Sequence, residues 1–249
     1  MRPLVALLPF VTACYFHVPP PLPGGAPLET GQAPPPGGAE MQLEAQGAVW
    51  LGAAPVTLDG ALRAGVGVTP NLALSAEGGL MRIHGVTEGT TVDGRARLGR
   101  LGALVHRAEP WIRNPGLKDH EGILVGVGGG DSAVFGRWLT IDVGAVFALE
   151  TRYASFFVNL SLFASPVIES RAYAPPPAED PEDPLGPPPD WDNRLQDSYG
   201  FHNGWGVELR PERDSPVSLL LGYSWGWTED KDVAQVAAGV GAALRLKTF

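Results

Sequence analysis

The chain has 249 residues, with 27 acidic side chains against 18 basic ones and a net charge of −9 at neutral pH. This acidic balance disfavours nucleic acid as a partner. No run of 18 or more apolar residues occurs, so a membrane-spanning helix is excluded on length. Any membrane-spanning structure must then be a closed β-barrel, because only closure satisfies the backbone of a sheet in lipid.

The N-terminus has the pattern of an export signal. Arg2 precedes an apolar segment over 4–11, and Val11-Thr12-Ala13 leads to Cys14. These four residues resemble the lipobox of bacterial lipoproteins, which implies that residues 1–13 are a signal peptide and that Cys14 carries the lipid, palmitate among its acyl chains. Cys14 is the only cysteine, which excludes a disulfide.

Two segments are rich in proline. Residues 15–39 contain eight prolines and five glycines, too little apolar surface to fold, so we expect 14–39 to be an extended, lipidated tether. Residues 165–198 contain nine prolines and a net charge of −6, from eight acidic residues and two arginines. This composition predicts a long, solvated, mobile loop, and a cation site is the less common use of such an acidic run.

The remaining sequence alternates between apolar and small or polar residues with a period of two, which predicts β-strands rather than helices. Leu58, Leu62, Val66 and Val68 share one parity, and Val217, Leu219 and Leu221 begin another such run. The lengths suit tilted transmembrane strands of about 9–11 residues. The ten predicted strands lie near 41–52, 57–68, 71–83, 91–104, 121–130, 138–149, 153–164, 199–210, 216–227 and 233–248.

The second face of these strands distinguishes a membrane barrel from a soluble sheet. That face carries mainly Gly, Ala and Ser, and the runs 153–164 and 215–227 contain no charged residue. This pattern favours a narrow barrel whose lumen holds small side chains and a few charges. We expect Arg63, Glu77, Arg95 and Arg97 to face the lumen, and Asp142 to pair there with an arginine.

In strand pattern, residues 40–249 resemble small outer-membrane barrels of the OmpA/OmpX type. The resemblance implies an all-β, closed, antiparallel up-and-down transmembrane barrel of about ten strands, with eight as the alternative. The short connections at 69–71, 150–152 and 211–215 would then be periplasmic, and loop 165–198 external. The long connection 105–120 would also be periplasmic, so either it lies along the membrane interface or the strand count is wrong there.

Aromatic residues lie near the predicted strand ends, as in the interfacial girdles of membrane barrels. This interpretation competes with burial of the same rings in the core of a soluble barrel. The C-terminal Phe249 is similar to the final aromatic of outer-membrane barrels, although Arg245 and Lys247 replace the apolar residues expected at its parity. The predicted girdle residues are Trp138, Tyr153, Tyr199, Phe201, Trp225 and Trp227.

Few residues suggest chemistry, and we expect no catalytic residue, metal or cofactor. Outer-membrane lipid hydrolases use a histidine, but Gly204 stands where a serine would be needed near His202, which we expect to be a barrel-wall residue. Asp119-His120-Glu121 point to alternate sides if extended, which favours a solvated turn over a metal site. The glycine-rich run 126–131 lacks the Lys-Ser/Thr of a phosphate loop and indicates a close-packed strand.

The sequence therefore predicts a lipid-tethered protein of the bacterial outer membrane with a structural or surface-interaction role and no enzymatic activity. Its expected partners are outer-membrane lipids, and the protein partner is unknown. Three alternatives belong to other classes: a narrow passive pore, a periplasmic lipoprotein whose lipocalin-like barrel binds a hydrophobic ligand, and a lipid hydrolase that depends on His202.

Overall fold

A computed structural model describes residues 32–246, apart from 52–55, 88–89, 110, 113, 115, 172–196, 213–214 and 229–233. Cys14 and its lipobox, Phe249 and most of the acidic loop lie outside these residues. In the described part of the chain, no helix has the length and apolar character needed to cross a bilayer.

The described residues form eleven β-strands. Strands β3 to β6 have 15 to 17 residues, and the others are shorter. The bounds are β1 Ala39–Leu51, β2 Val56–Thr69, β3 Leu72–Thr87, β4 Thr90–His106, β5 Lys118–Ser132, β6 Gly136–Glu150, β7 Ala154–Ser165, β8 Val167–Ser170, β9 Ser198–Leu209, β10 Val217–Thr228 and β11 Ala234–Leu246.

Ten of these strands close into a ring. Each pairs antiparallel with its neighbour in sequence, β7 pairs with β9, and β1 pairs with β11 from Ala39 opposite Leu246 to Leu51 opposite Ala234. The short β8 follows Pro166 and also pairs with β6, with a register shift, so it prolongs β7 rather than adding an eleventh position. The predicted up-and-down barrel of ten strands is confirmed, and residues 165–170 of the expected loop are strand.

We call the end that carries Ala39 and Leu246 the proximal end and the opposite end the distal end. The connections 70–71, 107–117, 151–153 and 210–216 lie at the proximal end. The long connection 107–117 is therefore real, and the strand count on either side of it is right. Its Trp111 is exposed and stacks on the guanidinium of Arg107, 3.8 Å from the ring centre. An exposed aromatic ring beside a cation at a barrel rim is typical of a membrane interface.

The outer wall is apolar around the whole ring. Val217, Leu219 and Leu221 point outward and are exposed. This is the reverse of the orientation that the lipocalin-like alternative requires. Every other ring strand also presents exposed apolar or aromatic side chains, among them Leu43, Leu62, Leu80, Leu101, Ile123, Val143, Leu160, Trp205 and Leu244.

The polarity of the wall inverts in the distal part of β3 and β4. There Met81, Ile83 and Ala96 are buried inside the barrel, while Arg82 and Asp93 are outside. Because apolar residues inside and charges outside are typical of a sheet in water, the ends of these long strands extend beyond the apolar band. Arg95 and Arg97 alternate with the buried Ala96 and are exposed on the outer wall, so their predicted place in the lumen is wrong.

Most of the predicted girdle residues with described side chains are on the outer wall. Tyr153 lies near the proximal end, and Tyr199 and Trp225 lie toward the distal end, all exposed. Phe201 contacts Trp225 edge-on, with ring centres 5.0 Å apart. Trp138 is the exception, because it faces inward and is buried with Met81, Ile83 and Phe135. Its assignment to the girdle is wrong.

Candidate functional site: the filled lumen

A network of charged side chains, the central ion network, crosses the lumen. Arg63 of β2 lies between two carboxylates, with its Nη2 3.1 Å from Glu77 of β3 and 3.5 Å from Glu44 of β1. Glu44 also accepts hydrogen bonds from the side-chain amides of Gln42 and Gln46. These side chains are largely buried, so each charge has to be paired to offset its desolvation. The predicted lumen positions of Arg63 and Glu77 are confirmed.

Arg100 of β4 forms the second half of the central ion network. Its side chain crosses over β5 and makes two hydrogen bonds to Asp142 of β6, from Nε at 2.9 Å and from Nη2 at 2.6 Å. A Cβ at Gly126 of β5 would clash with both partners, and one at Gly128 would press on the Arg100 stem. The predicted pairing of Asp142 is confirmed, and the glycine-rich run is the floor on which the guanidinium lies.

A second cluster, the proximal ion network, lies at the proximal mouth. Its centre is Glu150 of β6, whose carboxylate is 2.7 Å from Nε2 of His120 and 3.5 Å from Nη1 of Arg210. Arg210 also lies 3.5 Å from the fully buried Glu208. His120 and Glu121 point to opposite sides of the wall, as alternation predicted. They lie in β5, however, and not in a turn, because β5 begins at Lys118.

The last residues of the predicted tether, 32–38, fold into the proximal mouth. Gly37 donates a backbone hydrogen bond to Gly67 of β2, and Gly67 donates one to Gly38. Ala33 packs on an apolar cluster of the lumen that includes Leu104 and Val146. A cavity of about 30 Å³ remains beside 32–34, which is room for one or two water molecules. We call residues 32–38 the mouth segment.

Apolar side chains fill the distal part of the lumen. Phe135, in the connection between β5 and β6, is fully buried against Met81, Ile83, Ala96 and Trp138. The hydroxyl of Ser132 fixes this connection by accepting hydrogen bonds from the backbone of Val134 and Phe135. From the distal to the proximal end, the described lumen therefore holds an apolar cluster, the central ion network, and then the proximal network with the mouth segment.

No protein-family model matches the chain, and no curated protein matches it. In strand arrangement it is similar to three solved structures. They are the COG4313 outer membrane channel of Pseudomonas putida F1 (10% identity, 86% of this chain and 97% of that chain, TM-score 0.45), the translocator domain of the autotransporter NalP of Neisseria meningitidis (14%, 84% and 88%, 0.42), and Ail, the attachment invasion locus protein of Yersinia pestis (10%, 85% and 99%, 0.41). These similarities assign no activity to this chain.

The geometry indicates structural roles for the residues considered as chemical candidates. His202 is buried inside the barrel, where its ring packs against Phe163 with centres 5.1 Å apart and against Gly226. It is therefore on the opposite side of the wall from membrane lipid. Among the described residues, no group of three or more His, Cys, Asp or Glu side chains is arranged to hold a metal ion.

Sequence reasoning missed Glu44, Arg100, Glu150, Glu208 and Arg210 as lumen residues. The available signal was parity: Gln42, Glu44 and Gln46 are all even positions of one predicted strand. In β4 this signal fails, because arginines occur at both odd and even positions and only the register assigns Arg100 to the lumen.

We predict that Gly126→Ala destabilises the barrel, because the new Cβ displaces Arg100 from Asp142. Gly78→Ala on β3 is the matched control, since a Cβ there meets no atom within 4 Å. The midpoint of urea unfolding from lipid vesicles should fall for Gly126→Ala and stay within error for Gly78→Ala. Equal midpoints for the two variants would contradict the crossing of Arg100 over β5.

We predict that Asp142→Asn costs about 3–5 kcal/mol of unfolding free energy, because it leaves Arg100 buried without its counter-charge. Replacing both partners, as in Arg100→Leu with Asp142→Leu, should cost less than this single change. The measurement is a double-mutant cycle on urea unfolding that also includes Arg100→Leu and Asp142→Leu. Additive single effects would show that the two side chains do not interact.

Proposed function

We propose that this chain is an outer-membrane β-barrel with a structural or surface-interaction role and no enzymatic activity. The observation that carries the proposal is the separation of the two faces of one closed sheet. Apolar side chains cover the outside of every ring strand, while Arg63, Arg100 and Glu208 are buried inside. Hydrocarbon is the surrounding that stabilises this arrangement, since such a surface in water would cost free energy in proportion to its area.

The same proposal assigns the orientation and the anchor. The proximal end faces the periplasm, because the N-terminus leaves the barrel there and Cys14 is the lipid attachment site. Residues 14–31 would span a root-mean-square distance of about 20–25 Å as a flexible chain. That is longer than the roughly 10 Å spacing of two packed sheets, so the linker can cross the barrel wall to the adjacent leaflet. The acidic loop within 165–198 is then displayed outside the cell.

The filling of the lumen favours a scaffold over the pore alternative. The mouth segment occupies the proximal entrance, and the two ion networks and the Phe135 cluster occupy the described lumen behind it. A barrel of this strand number has an interior that side chains can fill. The displayed loop and the outer wall are then the surfaces left for interaction.

Substitutions at different depths test the membrane assignment. We predict that Leu221→Arg, in the middle of β10, costs about 2–4 kcal/mol of unfolding free energy in vesicles, whereas Val217→Arg at its proximal end costs about 0–1 kcal/mol. Both side chains are outward and exposed, so depth is the main difference between the variants. Equal costs, or a chain without Cys14 that is monomeric in water without detergent, would contradict the proposal.

We also predict that the full chain gives no stepwise currents in a planar lipid bilayer. The reason is the series of side chains and the mouth segment that fill the lumen. A known porin, reconstituted by the same procedure, controls for insertion, and protease protection of the barrel in the same vesicles shows that the protein is present. Unitary currents from the inserted protein would instead support the pore alternative.

A further inference from the structure

The distal part of β3 to β6 carries several arginines on its outer wall. Arg82, Arg95 and Arg97 lie just beyond the apolar band, whose last members there are Leu80, two residues before Arg82, and Leu101, four residues after Arg97. Side chains at this level of a membrane barrel meet lipid headgroups, because the hydrocarbon ends where the exposed apolar residues end. The net charge of the whole chain is −9, so a cationic surface here has the opposite sign to the protein.

Some of these arginines are neutralised within the protein. Arg82 makes two hydrogen bonds to Asp93, at 2.9 and 3.1 Å, and Arg137 makes two to Glu169, at 2.5 and 2.9 Å. Arg95 and Arg97 differ from them. In the part of the chain that the structure describes, neither guanidinium has an ion-pair partner. Asp131 is opposite Arg97 in the register, but it makes no ion pair with it.

The strand register adds a repulsion. Arg95 is directly opposite Arg82 in the pairing of β3 with β4, and Arg97 follows on the same face of β4. Like charges opposite each other on one face of a sheet are destabilising, and a bound anion would relieve this. Phosphate suits the position, because the planar fork of a guanidinium donates two parallel hydrogen bonds to it.

We propose that Arg95 and Arg97 bind the phosphate groups of a diphosphorylated lipid in the outer leaflet that surrounds the barrel. The inference rests on the proposed function, because that assigns the distal end to the outside. The lipid chains would lie along the exposed apolar side chains Leu80 and Leu101, directly below the two guanidinium groups. The ligand is therefore an amphiphile, and a phosphate ion alone would use only part of this surface.

The test compares lipid binding by the full chain and by the double variant Arg95→Gln with Arg97→Gln. Each protein, folded in a neutral detergent, is titrated with diphosphoryl lipid A, and bound lipid is counted by native mass spectrometry. We expect the double variant to bind at least about ten-fold more weakly, because each lost charged hydrogen bond costs affinity. The matched control is Arg107→Gln with Arg152→Gln, which removes the same charge at the proximal end and should bind as the wild type does.

Two further arms identify the source of the phosphate. Phosphatidylglycerol should bind more weakly than lipid A, and millimolar inorganic phosphate should not displace the lipid. Wild-type binding by the Arg95 and Arg97 variant, equal binding of phosphatidylglycerol, or displacement by free phosphate would each overturn the proposal. Failure of the membrane assignment is detected separately, by equal costs of Leu221→Arg and Val217→Arg. The double variant should still fold, because its side chains point away from the lumen.

Discussion

The pairing of the first strand with the last is the constraint on which the rest of the structure depends. Along thirteen residue pairs, β1 and β11 satisfy each other's backbone groups, and the sheet has no free edge. An edge left in hydrocarbon would expose a row of unpaired N–H and C=O groups at several kcal/mol each. Closure also gives the sheet an inside and an outside, so alternate residues of every strand enter two different environments.

Once the ring is closed, the narrow lumen sets the requirements for its side chains. Arg63 and Arg100 are too long for a small interior unless they lie across neighbouring strands, and each reaches a carboxylate on another strand. The space for Arg100 comes from glycines of β5. Pairing by itself returns little net stability for buried charges, but removing one partner is expensive. The networks therefore fix which strands are neighbours and at what register.

The outer wall has two zones, and the boundary between them links the fold to the function. In the apolar band the outside is greasy and the inside charged, whereas beyond it Met81, Ile83 and Trp138 are inside and Arg82 is outside. Each zone matches its solvent, lipid for one and water for the other. Arg95 and Arg97 lie at the boundary, where a headgroup rather than a protein carboxylate is the available counter-charge.

Local pattern in the sequence determined the strands, because a period of two and proline-rich breaks are visible within about ten residues. It also determined the antiparallel order, since short connections join neighbours. Tertiary structure decided which face of β4 points inward, because alternation groups Arg95 with Arg97, and Ala96 with Arg100, but does not say which group is inside. Only the register with β3 and β5 fixes this. The place of Trp138 and of the mouth segment also depended on tertiary structure, because both are set by the space left in the closed lumen and not by neighbours in the chain.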